Sequence, residues 1–266
     1  MQAETAPTST GPARWTRLGG LGLAMAGLAP LLMFLAGALW GLEFEGDAAF
    51  FLITCAIGLV GAFLVLRFGA TLWAKIVGIL CALAVGMALF WTAFGLAYPG
   101  SFFDFVPGLL VVPGVILTLV GCIAGIVAGR RGKAAEAPAV GERKTVQTVV
   151  AVLGVLAVVS AVLTFVGKST VDESQADETV TLSDFEFNED SYSFAPGTTL
   201  LVRNDDPFVH TFTVEELDID ETLTPGKEVL VEVPDNAGEY ILFCEPHTMD
   251  PEDPEEDDMF ANLTVE

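Results

Sequence analysis

The sequence has 266 residues, 52% of them hydrophobic, a formal net charge of −23, two histidines and four cysteines. So large an acid excess excludes nucleic acid as a partner, because phosphates are gripped by bases. The charge also divides the chain: residues 1–167 carry nine Lys and Arg and seven acids, a balance of +2, whereas residues 168–266 carry three bases and 28 acids, a balance of −25.

Uncharged apolar runs of 18 or more residues read as membrane-spanning helices. Five occur, at about 18–40, 49–66, 76–98, 107–129 and 147–167, so residues 1–167 form a membrane domain, an α-helical bundle of five spans. The bases lie on alternate loops: Arg14 and Arg17 before the first span, Arg67 and Lys75 between the second and third, and Arg130, Arg131, Lys133, Arg143 and Lys144 between the fourth and fifth. The loops "GLEFEGDA" and "YPGSFFDF" have none. The positive-inside rule places the N-terminus in the cytoplasm and residues 168–266 outside, in a multi-pass protein of the cell membrane. The first span is too long for a signal-peptide core and four more follow, so it is a retained anchor.

Lacking histidine and charge, the spans hold neither a bis-histidine haem nor the usual proton relay. Gly121, Gly125 and Gly129 form a small-residue stripe suited to close helix packing, with a partner interface as the alternative. Cys55, Cys81, Met87 and Cys122 read as buried apolar side chains rather than a path for metal ions.

Residues 168–178 are polar and aperiodic, a flexible tether of about 15–20 Å if coiled. Residues 179–266 alternate short apolar stretches, "TVTLSDFEF", "TTLLVRN", "VHTFTV", "KEVLVEV", "EYILFC" and "FANLTV", with the turn signals "APG", "NDDP", "TPG" and "PDNAG". This is the pattern of a small all-β sandwich or barrel. Cys244 is its single thiol, so it has no internal disulfide.

In "VHTFTV" alternation puts His210, Phe212 and Val214 on one face, the buried one. A lone buried histidine is ordinarily a satisfied core residue. Here the other histidine, His247, stands three residues after Cys244 at the end of another strand. Two imidazoles, one thiolate and a weak axial methionine make a trigonal blue-copper electron-transfer site.

These residues resemble a family. "NDDPFVHTFTV", with Asn204 ahead of His210, "CEPH", with Cys244 and His247, and "FEFNEDSYSFAPGTTLLV", with Pro196-Gly197 as the turn of a strand pair, are similar to the cupredoxins of plastocyanin, pseudoazurin and halocyanin type. The resemblance covers the outer domain alone, about a third of the chain. It implies a Greek-key sandwich, one type 1 copper per chain held by His210, Cys244 and His247, and Thr211 hydrogen-bonded near the thiolate. It also implies an axial methionine soon after the second histidine. Met249 is close but leads into the acidic run "DPEDPEEDD" (250–258), whereas Met259 shares parity with Ala261, Leu263 and Val265. Parity favours Met259, with Met249 the alternative, and makes 250–258 a surface insertion.

The inventory excludes neighbouring functions. A dinuclear copper centre needs two cysteines in its ligand loop, a multicopper oxidase needs His-x-His pairs, and no phosphate loop is present. The expectation is a membrane-anchored electron carrier rather than an enzyme, with membrane-bound or extracytoplasmic redox partners, the bilayer as its second environment and a salt-adapted acidic surface. Copper handling without redox turnover, or a metal-free interaction module, are the alternatives.

Overall fold

The structure is a computed structural model that describes residues 14–40, 47–130, 141–166, 171–248, 250–253 and 259–266. Met249, Arg131, Lys133, the start of the expected tether and acidic residues 254–258 lie outside them. The chain divides into two compact units, Met1–Leu96 with Val106–Leu153, and Ala97–Phe105 with Gly154–Glu266.

The helices are α1 (Arg14–Trp40), α2 (Asp47–Phe68), α3 (Leu72–Ala88) continued by a 3₁₀ helix (Phe90–Ala97), α4 (Phe102–Arg130) and α5 (Gly141–Val166). Among the described residues three apolar stretches are long enough to cross a membrane: Trp15–Leu35, Ala48–Phe68 and Phe102–Arg130. A fourth arises if α3 and the 3₁₀ helix count as one span, bent by 61°. The break falls at Leu89, whose φ of −120° and ψ of 24° leave the helical region although its N–H still reaches Val85. At the expected fifth span α5 is helical, and among the described residues Ala151–Thr164 form its apolar stretch. Among the described residues three or four candidate spans stand where five were expected. Ile53, Phe63 and Leu80 are each more than half exposed, which suits a lipid-facing surface.

Within the first unit, glycine sets how closely the helices approach. A Cβ added to Gly58 on α2 would lie 2.5 Å from the Gly27 Cα on α1, and one on Gly22 would lie 2.6 Å from the Gly114 carbonyl oxygen on α4. Gly121 backs onto Trp15 and Gly19 in the same way, whereas a Cβ on Gly129 would meet nothing within 4 Å. The small-residue contact of α4 thus runs through Gly114 and Gly121, and the expected stripe stops short of Gly129. Lys75, expected at a loop, lies inside α3 and is buried, its stem beside Gly125.

Among the described residues of the second unit nine strands form two sheets. They are β1 (Glu178–Ser183), β2 (Glu186–Phe187), β3 (Ser191–Phe194), β4 (Thr199–Asn204), β5 (His210–Val214), β6 (Ile219–Leu223), β7 (Glu228–Glu232), β8 (Gly238–Phe243) and β9 (Phe260–Val265). One sheet runs β2-β1-β4-β7 and the other β3-β9-β8-β5-β6. The β1–β4 and β3–β9 pairs are parallel. Val180, Leu182, Leu200, Val202 and Val231 from the first sheet meet Phe212, Val214, Leu242, Leu263 and Val265 from the second in one core. The Pro196-Gly197 turn does not join a paired hairpin. Gly197 takes φ 78°, the left-handed conformation glycine reaches without strain, and carries the chain from β3 in one sheet to β4 in the other. Within the expected tether, Glu173–Gln175 form a 3₁₀ turn capped by Asp172.

Candidate metal centre

Three segments converge at one end of the sandwich. β5 begins at His210, the turn Glu245–His247 follows Cys244 at the end of β8, and Met259 immediately precedes β9. Antiparallel pairing of β8 with β5 and with β9 brings them side by side. The loop between His247 and Met259 closes on itself. The N–H of Cys244 donates to the Met259 carbonyl (2.9 Å), and the N–H of Met259 donates to the His247 carbonyl (3.1 Å). The Thr248 hydroxyl adds a third bond to the Met259 carbonyl (3.0 Å). Met259 is 2% exposed, in line with Ala261, Leu263 and Val265. The parity expected of β9 is thus the one it adopts. Met249, the alternative, falls outside the described residues.

His210 Nδ1 lies 3.2 Å from His247 Nδ1 and 3.5 Å from Cys244 Sγ, and His247 Nδ1 lies 3.3 Å from the same sulfur. A point equidistant from the three atoms is about 1.9 Å from each, close to the roughly 2.0–2.3 Å that zinc keeps from imidazole nitrogen and thiolate sulfur. Two ring nitrogens and a sulfur turned toward one another suit a shared cation better than mutual hydrogen bonding. Burial pushes the Cys244 thiol up to about 12, against the hydrogen bond from the Thr211 N–H to its sulfur (3.2 Å). Burial, then the neighbouring His210, press the His247 imidazole down to about 3. The metal-free site therefore carries a neutral thiol and a neutral His247 near pH 7, and a metal must displace the thiol proton.

The surrounding polar groups are tied down. Fully buried Asn204 donates from Nδ2 to the Phe208 and Leu223 carbonyls (2.8 Å each), and its Oδ1 accepts the Asp206 N–H (2.8 Å). This fixes the segment between β4 and His210. Thr211, expected near the thiolate, bonds it through its backbone, while its hydroxyl accepts the Glu245 N–H (2.8 Å). In the same unit Asp104 accepts the Val209 N–H (2.8 Å) and the Ser101 hydroxyl. The Phe185 ring stands edge-on to both imidazoles, with centroids 5.6 Å from His210 and 5.0 Å from His247.

Sequence reasoning missed Asp206, whose Oδ2 lies 2.7 Å from His210 Nε2. "NDDP" offers two adjacent aspartates. Only the fold sends Asp206 inward and leaves Asp205 pairing with Arg203 at the surface. It also missed Asp104 and Phe185, which are remote from the ligand segments in sequence.

Comparison with known proteins gives a match of residues 156–253 to the family described as cupredoxin-like domain. No curated protein matches. Among solved structures, the chain is similar to a copper-containing nitrite reductase from Thermus scotoductus, at 20% identity over 33% of this chain with a TM-score of 0.27; it spans 22% of that chain. It is similar to a purple cupredoxin from Nitrosopumilus maritimus at 17% identity, over 34% of this chain and 100% of that one, with a TM-score of 0.26. A reduced Cu(I) mutant of amicyanin matches at 17% identity, over 38% of this chain and 88% of that one, with a TM-score of 0.28. His210, Cys244, His247 and Met259 are arranged as a type 1 copper site. The C-terminal part of the chain is therefore a cupredoxin-like domain, preceded by an apolar helical region.

Proposed function

We propose that the protein is a membrane-anchored blue-copper electron carrier, in which His210, Cys244 and His247 would hold one copper ion with Met259 as the additional weak donor. The observation that carries this reading is the convergence of two Nδ1 atoms and one thiol sulfur within 3.5 Å of one another. Bound copper supplies a one-electron Cu(I)/Cu(II) couple. The chain's own part is to hold the donors still. Asn204 pins the approach to His210, Thr211 donates to the thiolate, and the backbone bonds around Met259 close the ligand loop. A site that moves little between oxidation states exchanges electrons with little reorganisation.

The helical region acts as the anchor, with five spans, the N-terminus in the cytoplasm and the copper domain outside. The bias of bases toward alternate loops supports that orientation. The bond from Val209 to Asp104 is consistent with it, since Asp104 belongs to the base-free stretch "YPGSFFDF" expected on the outer side. The electron passes between membrane-bound or extracytoplasmic partners, and the chain performs no catalysis of its own.

A redox titration of the copper-loaded full chain in detergent tests the function. Reversible one-electron reduction and reoxidation with the metal retained is expected. Loss of copper on each reduction would refute the carrier reading and favour copper handling without turnover.

A further inference from the structure

Resting on the copper reading above, we infer that Asp206 is a positioning residue that sets the redox balance of the site: its carboxylate holds the far nitrogen of His210 and biases the centre toward Cu(II). Asp206 is 5% exposed and lies on the side of His210 away from the thiolate. Its Oδ2 receives the Nε2 proton of His210 (2.7 Å) and the Phe185 N–H (3.0 Å), and its Oδ1 receives the Asp184 N–H (2.8 Å).

Two consequences follow from this one carboxylate. The first is electronic. A carboxylate drawing on the Nε2 proton fixes the tautomer that leaves the Nδ1 lone pair facing Cys244 Sγ and His247 Nδ1, and it makes that nitrogen a stronger donor. A stronger donor favours the more highly charged metal. No proton changes place when an electron arrives, since the carboxylate stays ionised and Nε2 keeps its hydrogen. The second is geometric. Asp184 and Phe185 take φ of 55° and 63°, a conformation uncommon for residues with a Cβ. Asp206 accepts both of their N–H groups and so holds the turn that stands Phe185 edge-on to the two imidazoles. The carboxylate thus faces three N–H groups, the surroundings that favour its ionised form.

The test uses the full chain in detergent, loaded with copper, in unaltered form and as Asp206→Asn. The amide keeps an oxygen for His210 and Phe185 but removes the charge. The Cu(I)/Cu(II) preference should shift toward Cu(I) by about tenfold, the lower end of what losing a partner of a metal-bound histidine does. That is a rise of about 59 mV in the one-electron potential, with the blue absorption retained. A blue variant whose Cu(I)/Cu(II) preference shifts by less than twofold overturns the inference while leaving the copper reading intact. An unaltered chain that is not blue instead overturns the copper reading. Should Asp206→Asn fail to fold, pulsed EPR of the unaltered Cu(II)-loaded chain decides. The remote nitrogen of one histidine should show the altered quadrupole coupling of a carboxylate-bonded N–H, inequivalent to the other. Two equivalent remote nitrogens overturn the inference.

Discussion

Replacing Asn204 by Ala removes three buried hydrogen bonds at one stroke. The Phe208 and Leu223 carbonyls lose their donor, the Asp206 N–H loses its acceptor, and the site is fully closed to solvent. Each buried polar group left unpaired costs about 1–3 kcal/mol. Water admitted by the missing side chain recovers part of this, so the net loss is about 4 kcal/mol, a large share of the roughly 5–15 kcal/mol that holds a domain folded. The loss is local first, because the segment freed is the one that delivers Asp206 and His210 to the site. Bleaching of the visible copper absorption in urea follows it. With a slope of about 1.5 kcal/mol/M the midpoint should fall by about 2–3 M. Hydrogen exchange in peptides covering β4 and β5 should rise well before that in β9. A midpoint lowered by less than about 0.5 M, or exchange rising evenly over the domain, would show that Asn204 is not what holds the ligand segment in place.

Met259→Leu should keep the blue colour and raise the potential, since a weaker axial donor stabilises Cu(II) less. Met249→Leu should change neither, and the reverse pattern would make the acidic run a spacer after the site. The metal-free protein should lose stability as pH falls. The folded His247 is depressed to about 3 from an ordinary 6.5, so below 6.5 the unfolded chain binds the extra proton, and the contribution present above 6.5 is lost progressively toward pH 3. His247→Gln should flatten the urea-midpoint profile between pH 6.5 and 4, and an unchanged slope would refute the assignment. Protease added outside intact cells should release a fragment containing His210 and Cys244; cleavage only after the membrane is opened would reverse the orientation.

The ligand segments could be read in the sequence because each lies where chain order and strand pattern already constrain it. "CEPH" ends a clear apolar strand, and Met259 opens another whose parity survives intact, with Ala261, Leu263 and Val265 buried. In β5 the same rule says less. All five residues from His210 to Val214 are buried. Alternation alone could not separate His210 from Thr211. The acid-rich strand β6, "IDETL", gives no apolar signal, since one residue of its five is buried. β3 is short and pairs with the last strand of the chain, a contact with no local trace. Phe185 was illegible for the same reason, being far from His210 in sequence; Asp206 is close to it, but "NDDP" does not say which of its two aspartates turns inward. In the helical region hydropathy marks where apolar residues run, but not the change of backbone at Leu89 that bends the third run by 61°.

The most direct test of the account is the visible and EPR spectrum of the full chain loaded with Cu(II), beside that of Cys244→Ser. Sulfur 3.5 Å or less from both ring nitrogens predicts an intense blue band from thiolate-to-copper charge transfer and a narrow copper hyperfine splitting in the unaltered chain. Both should be absent from the variant. A colourless Cu(II) adduct with ordinary hyperfine splitting in the unaltered chain would contradict it.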